Sequence, residues 1–225
     1  MDLFDIETTD DAWSEQLDEG SFHLHGFVVE EADNLLEQVA NVAEESPFRH
    51  LVTPGGKRMS VAMTNCGEYG WVSDRRGYRY QSTDPLSGRK WPEMPTIFRE
   101  TALKAAESAG YPGFTPDVAL INEYRPGTRL TPHQDKDEQD RTSPIVSISL
   151  GVPAVFLWGG LQRGGRNRRI PVRHGDVLVW GGPDRFRFHG IATLKEYLHP
   201  LTGDRRINIT FRRTGLVDTQ GVAPH

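Results

Sequence analysis

Short segments that are apolar throughout, or alternate apolar and polar side chains, fill the chain after Pro116. They are rich in β-branched and aromatic residues, and turns of Gly, Pro and charged residues separate them. Evenly spaced strands of this kind are typical of a sandwich, a jelly roll or a barrel. The predicted strands are residues 117–124, 145–151, 154–159, 176–181, 186–190 and 206–212. This part of the chain is therefore predicted to be mainly β.

The first half of the chain predicts one strand and two helices. Residues 21–29 alternate apolar residues with His23 and His25, which indicates a strand. Residues 30–46 place their apolar side chains on one helical stripe. A second helix is expected over residues 95–108, because its first residue is a proline, which suits the first turn of a helix. The fold class is therefore mainly β with flanking helices.

The same pattern predicts one domain preceded by a short lead-in. A chain of 225 residues suits a single β domain. Residues 1–20 are expected to be an acidic, loosely held lead-in, and residues 21–225 are expected to form the domain. Within it, residues 53–80 are rich in Gly, Tyr, Trp and Arg. We expect them to form hairpins that lie outside the barrel and cover its mouth as a lid.

Composition restricts the class of protein. Hydrophobic residues make up 36% and charged residues 25% of the chain, which is typical of a globular protein. No apolar run reaches the length of about 18 residues that a transmembrane helix needs. The acidic N-terminus lacks the basic and apolar regions of a secretory signal, and the single cysteine, Cys66, excludes an intramolecular disulfide. These features predict a cytoplasmic protein.

The net charge of −5 is distributed unevenly along the chain. Residues 1–46 carry fourteen Asp and Glu and no Lys or Arg, which leaves 26 basic and 17 acidic residues in the rest, a net charge of +9. A basic surface of this kind favours a nucleic-acid partner. Charge alone fits equally well with a solvated acidic flank and a basic excess that aids solubility.

His133 and Asp135 form the first candidate for chemistry. In an extended chain, residues i and i+2 point to the same side, so both side chains can reach one ion. With a distant histidine, for which His189 is the best candidate, they would complete the two-histidine, one-carboxylate triad of non-haem Fe(II) oxygenases. The same set also holds zinc in hydrolases. Taken alone, a His-x-Asp sequence is more often a polar pair in a solvated loop.

Residues 206–212 form the second candidate, because one face of this predicted strand is polar and cationic. That face consists of Arg206, Asn208, Thr210 and Arg212. Buried arginines require anionic partners, and a small dicarboxylate would supply one carboxylate to each. Asn122 and Tyr124, also at i and i+2, would add neutral hydrogen bonds. The alternative is a surface strand whose arginines bind phosphate.

Nine segments across the chain, taken together and in order, match one known pattern. They are TPGGKRMSVAMTNCG (53–67), GYRY (77–80), INEYRPG (121–127), HQDKDE (133–138), PIVSISLG (144–151), WGGLQR (158–163), HGDVLVWGG (174–182), FHGI (188–191) and RINITFR (206–212). They resemble the AlkB family of DNA-alkylation repair dioxygenases, over a span from about Ser46 to Arg213.

The resemblance implies a double-stranded β-helix, or jelly roll, with a nucleotide-recognition lid. Residues 117–213 would be its catalytic jelly-roll core. It also implies Fe(II), 2-oxoglutarate and O2 as the requirements of the reaction. The expected activity is oxidative removal of alkyl groups from bases such as 1-methyladenine and 3-methylcytosine, with release of an aldehyde, succinate and CO2. The expected partner is alkylated DNA, single-stranded in the first instance, with RNA as a second candidate, and a monomer is expected.

The resemblance also assigns roles to individual residues. The implied iron ligands are His133, Asp135 and His189. The implied 2-oxoglutarate contacts are Asn122, Tyr124, Arg206, Asn208 and Arg212, with Asn122 and Arg212 at the carboxylate beside the metal. The implied substrate contacts are Trp71, Tyr78, Tyr80, Asp137 and Arg163, with Trp71 stacked on a flipped base opposite the His133 ring.

Two other functions remain open at this point. One is a dioxygenase of the same chemistry that acts on a substrate other than nucleic acid. The other is a nucleic-acid-binding jelly roll without catalysis, which intact triad and arginine positions disfavour. The loop of residues 164–169 is unusually rich in arginine. It departs from the family pattern and leaves strand preference and substrate breadth undetermined.

Overall fold

The structure is a computed structural model that describes residues 13–217. Its helices are α1 (Ala32–Glu45) and α2 (Thr96–Ser108). Its strands are β1 (Trp13–Asp18), β2 (Ser21–His25), β3 (Ala62–Gly67), β4 (Gly70–Asp74), β5 (Gly77–Gln81), β6 (Val118–Tyr124), β7 (Leu130–His133), β8 (Ile145–Gly151), β9 (Ala154–Trp158), β10 (Arg168–Val172), β11 (Val177–Trp180), β12 (His189–Ile191) and β13 (Arg206–Arg212). Neither helix in this part of the chain is long and apolar enough to cross a membrane.

Two antiparallel sheets face each other as a jelly roll. The large sheet has seven strands in the order β1-β2-β11-β8-β13-β6-β3. The small sheet has four in the order β10-β9-β12-β7. The β4–β5 hairpin forms a separate two-stranded sheet. The expected mainly β fold with flanking helices is confirmed.

The two faces of the large sheet bury different cores. On one face, Ile207, Ile209 and Phe211 of β13 pack with the apolar sides of α1 and α2. Phe98 of α2 meets the Phe211 ring edge-on, with ring centroids 6.0 Å apart. The other core contains Phe156 and other apolar residues of both sheets. Because alternate residues of a strand point to opposite faces, the polar residues of β13 are directed away from the helices.

Four expectations about local structure are wrong. Residues 13–18 were expected in a loose lead-in but form β1, which pairs with β2 along its length, whereas residues 1–12 lie outside the described part. Residues 62–67 were expected in hairpins outside the barrel, but β3 is the edge strand of the large sheet beside β6. Residues 168–169, expected in a loop, begin β10. Residues 186–188 are not in a strand, and β12 begins only at His189.

Candidate active site

His133, Asp135 and His189 come together at the edge of the small sheet that β7 and β12 form. His133 ends β7, and His189 begins the neighbouring strand β12 directly opposite it. One ligand atom from each of the three residues lies within 4.8 Å of the others. A Cβ added to Gly190 would lie 2.5 Å from the Leu130 carbonyl oxygen, so glycine lets the two strands approach this closely.

Hydrogen bonds orient both imidazole rings toward Asp135. The Nδ1 atoms of His133 and His189 each lie 3.0 Å from a backbone carbonyl oxygen, that of Thr131 and Arg187 respectively. A proton on Nδ1 leaves the Nε2 lone pair free for a metal. These Nε2 atoms lie 3.5 and 3.7 Å from the Asp135 carboxylate oxygens.

The electrostatics keep Asp135 and His189 in the protonation states that a cation requires. Burial would raise the pKa of Asp135, but the charge of Arg212 and the two histidines hold it well below its usual range. Burial, and next the charge of His133, lower the pKa of His189 to about 4. Metal ligation needs an ionised carboxylate and neutral imidazole. Asp135 and His189 therefore meet this requirement at neutral pH.

Arg212 connects the triad to β13. Its Nε and Nη2 atoms donate to Oδ2 of Asp135 at 2.9 and 2.7 Å. Its Nη1 atom is buried and has no partner among the described residues. Within the same part of the chain, the buried Oδ1 atom of Asn122 is also without a partner. A carboxylate beside the triad can accept from Arg212 and from one N–H of the Asn122 amide, whose other N–H donates to the Asn208 amide oxygen at 3.3 Å.

Arg206 lies farther along the same face of β13 and is 2% exposed. Its guanidinium carbon is 4.9 Å from the centroid of the Tyr124 ring, and its Nη2 atom donates to the Ser149 hydroxyl at 2.8 Å. The Nε and Nη1 atoms have no partner among residues 13–217. An arginine buried without an anionic partner is costly by several kcal/mol. The arrangement fits a dianion that spans from Arg212 to Arg206.

Asn208 lies between the two arginines on β13. Its amide nitrogen donates to the Ser147 hydroxyl at 2.9 Å and the Ile148 carbonyl oxygen at 2.8 Å, both on β8. Its amide oxygen accepts from Thr210 at 3.1 Å. The side chain is thus oriented by its neighbours in the large sheet.

Two residues that the sequence reasoning did not select, Glu138 and Arg185, complete a buried network behind the triad. Arg185 donates to the Asp135 carbonyl oxygen at 2.8 Å and to Glu138 at 3.2 Å. Tyr80 donates to the other oxygen of Glu138 at 2.5 Å. The hydroxyl of Tyr80, expected at the substrate backbone, is therefore directed into this network. Glu138 lies in the HQDKDE segment, whereas no pattern marked Arg185.

The remaining expected substrate residues lie on or near the surface. The Trp71 ring, on β4, stacks on Tyr78 of β5 with centroids 5.5 Å apart, and its Nε1 atom donates to Asp137 at 2.9 Å. The Trp71 backbone is held to β3 by both ends of the Asn65 amide, at 2.9 and 3.1 Å. Arg163 is exposed, with its guanidinium 5.3 Å from the centroid of the Phe188 ring. Three of these four side chains thus form one group, and Arg163 lies apart from it.

Comparison with known proteins agrees with this geometry. Residues 20–212 match the model of the 2OG-Fe(II) oxygenase superfamily. The chain is 49% identical to the alpha-ketoglutarate-dependent dioxygenase AlkB of Escherichia coli, over 95% of this chain and 99% of that protein. It is 44% identical to an AlkB homolog of Caulobacter vibrioides over 80% of each chain. A solved structure, OsALKBH1, covers 89% of this chain and all of its own, with a TM-score of 0.80 and 27% identity.

The chain belongs to the AlkB family. It is accordingly a 2-oxoglutarate-dependent dioxygenase that uses Fe(II), 2-oxoglutarate and O2. The donor set fits the metal of this family, because two imidazoles and one carboxylate on one side of an ion leave positions for the co-substrate and O2. The donors of Arg206 and Arg212 that have no partner in the described part of the chain fit a dicarboxylate. This AlkB-family chain thus has side chains suited to both groups.

The triad assignment predicts a loss of turnover without loss of the fold. Replacing one ligand, as in His189→Ala, should abolish 2-oxoglutarate-dependent succinate formation, because a cation held by two residues binds far more weakly than one held by three. Circular dichroism should stay that of the wild type. His199→Ala, which removes a histidine outside the cluster, should keep full activity. Wild-type turnover in His189→Ala would remove this residue from the triad.

The anchor assignment predicts a different defect for Arg206→Ala. Loss of one charged partner of a buried carboxylate typically costs about 2–5 kcal/mol, so the 2-oxoglutarate concentration for half-maximal turnover should rise at least about 30-fold. Arg205→Ala is the matched control, because Arg205 precedes it in the chain but forms a partly exposed ion pair with Glu123. The dependence is measured as initial rate against 2-oxoglutarate concentration. Equal values for the two variants would place the anchor elsewhere.

Proposed function

We propose that this chain repairs N-alkylated bases in DNA, with 1-methyladenine and 3-methylcytosine as its substrates, by oxidative dealkylation. The observation that carries the proposal is the hydrogen bond from Trp71 to Asp137, which follows the triad residue Asp135 by two positions in the chain. An aromatic face and a carboxylate side by side suit an alkylated base, which is both flat and positively charged. Relatives include proteins named DNA N(6)-methyladenine demethylase in Arabidopsis thaliana and tRNA demethylase in Schizosaccharomyces pombe.

Two sets of residues would position two groups, the iron and 2-oxoglutarate. His133, Asp135 and His189 would hold the iron. Arg212 and Asn122 would bind the carboxylate of 2-oxoglutarate beside it. Arg206 and Tyr124 would bind the distal carboxylate. Asn208, whose two N–H groups already donate to Ser147 and Ile148, would instead hold the Asn122 amide in place. Because the co-substrate residues lie on the neighbouring strands β6 and β13 and are buried, the dicarboxylate would be held in one orientation with water excluded.

The bound iron, with 2-oxoglutarate and O2, supplies the oxidation of the N-alkyl carbon. One oxygen atom enters that carbon and the other enters succinate, with loss of CO2. The hydroxyl group on that carbon then loses its proton, the C–N bond breaks with its electron pair passing to the base nitrogen, and the carbon leaves as an aldehyde from the neutral base. The chain contributes the position of the base: Trp71 would stack on it, which is typically worth about 1–3 kcal/mol per base. Asp137 would face its cationic edge.

We infer that the β4–β5 hairpin is the lid over this site. Trp71 and Tyr78 lie on its two strands, and Asn65 ties it to the large sheet. A base must leave the duplex to reach the iron, at a cost of a few kcal/mol, so single-stranded DNA is the proposed substrate form. RNA is the second form to be tested. A monomer and a cytoplasmic location remain predictions.

The test is the rate of repair of oligonucleotides that carry 1-methyladenine or 3-methylcytosine. Trp71→Ala should lower kcat/KM for these substrates at least about 10-fold, the equivalent of about 1.4 kcal/mol. Slow 2-oxoglutarate turnover in the absence of any oligonucleotide should be unchanged, because the iron site is intact. Tyr197→Ala, which removes another half-exposed aromatic ring, is the control and should behave as wild type.

Comparison of single-stranded DNA, duplex DNA and RNA that carry the same lesion ranks the substrate forms. Formaldehyde should appear in the same amount as the succinate that is formed above the oligonucleotide-free background. Repair by Trp71→Ala at the wild-type rate would show that the base binds elsewhere. If none of these nucleic acids yields formaldehyde while 2-oxoglutarate turnover is intact, the proposed substrate class is contradicted. The dioxygenase chemistry would still stand.

A further inference from the structure

A second cluster of metal-type side chains lies on the β1–β2 hairpin, at the edge of the large sheet. Glu15 of β1 lies opposite His23 of β2, and His25 follows on the same face of β2. One ligand atom of each residue lies within 4.8 Å of the others. Two strands, β11 and β8, separate β2 from β13. We propose that Glu15, His23 and His25 bind a divalent transition-metal ion such as zinc.

His23 is prepared for ligation by the residue beside it. Its ring is 1% exposed, and Nε2 lies 3.0 Å from Oδ2 of Asp176. Asp176 also accepts from the backbone N–H groups of Gly26 at 2.9 Å and Arg173 at 2.7 Å, so it acts as an ionised acceptor. The His23 proton therefore belongs on Nε2. Nδ1 then carries a lone pair that is buried and without a partner among the described residues.

Metal sites commonly contain this arrangement, in which a carboxylate accepts from one nitrogen of an imidazole and the other nitrogen has a free lone pair. A ligating histidine usually donates its other N–H to a carboxylate, which fixes the tautomer and makes the ring a stronger ligand. A buried nitrogen acceptor that no donor satisfies is otherwise unfavourable. A metal ion at Nδ1 of His23 would satisfy it.

Glu15 and His25 supply the other two ligands at a suitable separation. Oε2 of Glu15 lies 3.4 Å from Nε2 of His25. Two ligands of a tetrahedral zinc ion, each at about 2.0–2.1 Å, are roughly 3.4 Å apart. Arg168 donates to the other oxygen of Glu15, Oε1, at 3.1 Å and leaves Oε2 available. The His25 ring is stacked between Trp13 and His23, with ring centroids 3.9 and 3.6 Å apart, and would tilt away from the His23 ring when the two histidines share an ion.

The surrounding charges and donor types define the ion. The cluster contains the Glu15 carboxylate and has the Asp176 carboxylate beside it, and Arg168 pairs with Glu15. Two imidazoles with one carboxylate suit zinc, copper, nickel or cobalt, whereas calcium and magnesium prefer oxygen ligands. The ion would join β1, an edge strand, to β2. Because the unfolded chain has no preformed site, binding should stabilise the folded state.

The test must separate this cluster from the first triad, which has the same donor set. The experiment measures zinc bound per chain after equilibrium dialysis of the full-length protein. A His133→Ala/His189→Ala background removes the first triad. We expect two zinc ions in the wild type, one in the background, one in His25→Ala, and none when His25→Ala is added to the background. Zinc should raise the Tm of the background and leave that of the combined variant unchanged.

His199→Ala in the same background is the matched control and should keep its zinc. His199 stacks on His174 at 4.4 Å, but these two histidines belong to no three-residue cluster in residues 13–217. Circular dichroism verifies the fold of each variant, and His25→Ala supplied with Fe(II) should retain 2-oxoglutarate turnover. The proposal is overturned if the background binds no zinc, or if it keeps its zinc and its Tm shift after His25→Ala.

Discussion

The ion pair between Arg212 and Asp135 is the interaction on which the rest of the site depends. Both side chains are buried, and Arg212 holds one oxygen of the carboxylate through two hydrogen bonds. Loss of one partner from a buried pair of this kind costs about 3–5 kcal/mol, so neither residue can be changed without consequences for the other. The pair keeps the Asp135 carboxyl ionised between two histidines. It also places a cationic strand directly beside a metal-ligand set.

The jelly roll makes this juxtaposition possible. The small sheet contributes both histidines from neighbouring strands, and the large sheet contributes both arginines from β13. The apolar face of β13 packs on the helices, which fixes the strand and directs its charges to the other side. Within residues 13–217, Arg206 retains unpartnered nitrogen atoms and Arg212 retains one, so a small dianion is the group that this interior accepts. Membership of the AlkB family gives that dianion its identity.

Patterns of period two predicted the parts of this site that depend on a single strand. They predicted the polar face of β13 and the shared face of Asn122 and Tyr124. The His-x-Asp spacing predicted a common direction for His133 and Asp135, and the resemblance to the AlkB family supplied the complete triad. The sequence did not predict structural features that depend on residues distant in the chain. Nothing local shows that residues 62–67 extend the large sheet, or that residues 13–18 pair with β2. For the same reason Arg185 was missed and the inward direction of Tyr80 was not foreseen, since both depend on Glu138.

The central claim is that 2-oxoglutarate lies between the iron triad and the β13 arginines. The most direct measurement is an anaerobic titration of the Fe(II)-loaded protein with 2-oxoglutarate, followed by visible absorption. The account predicts a metal-to-ligand charge-transfer band that saturates at one 2-oxoglutarate per chain. Tight binding of Fe(II) without such a band at any 2-oxoglutarate concentration would contradict it.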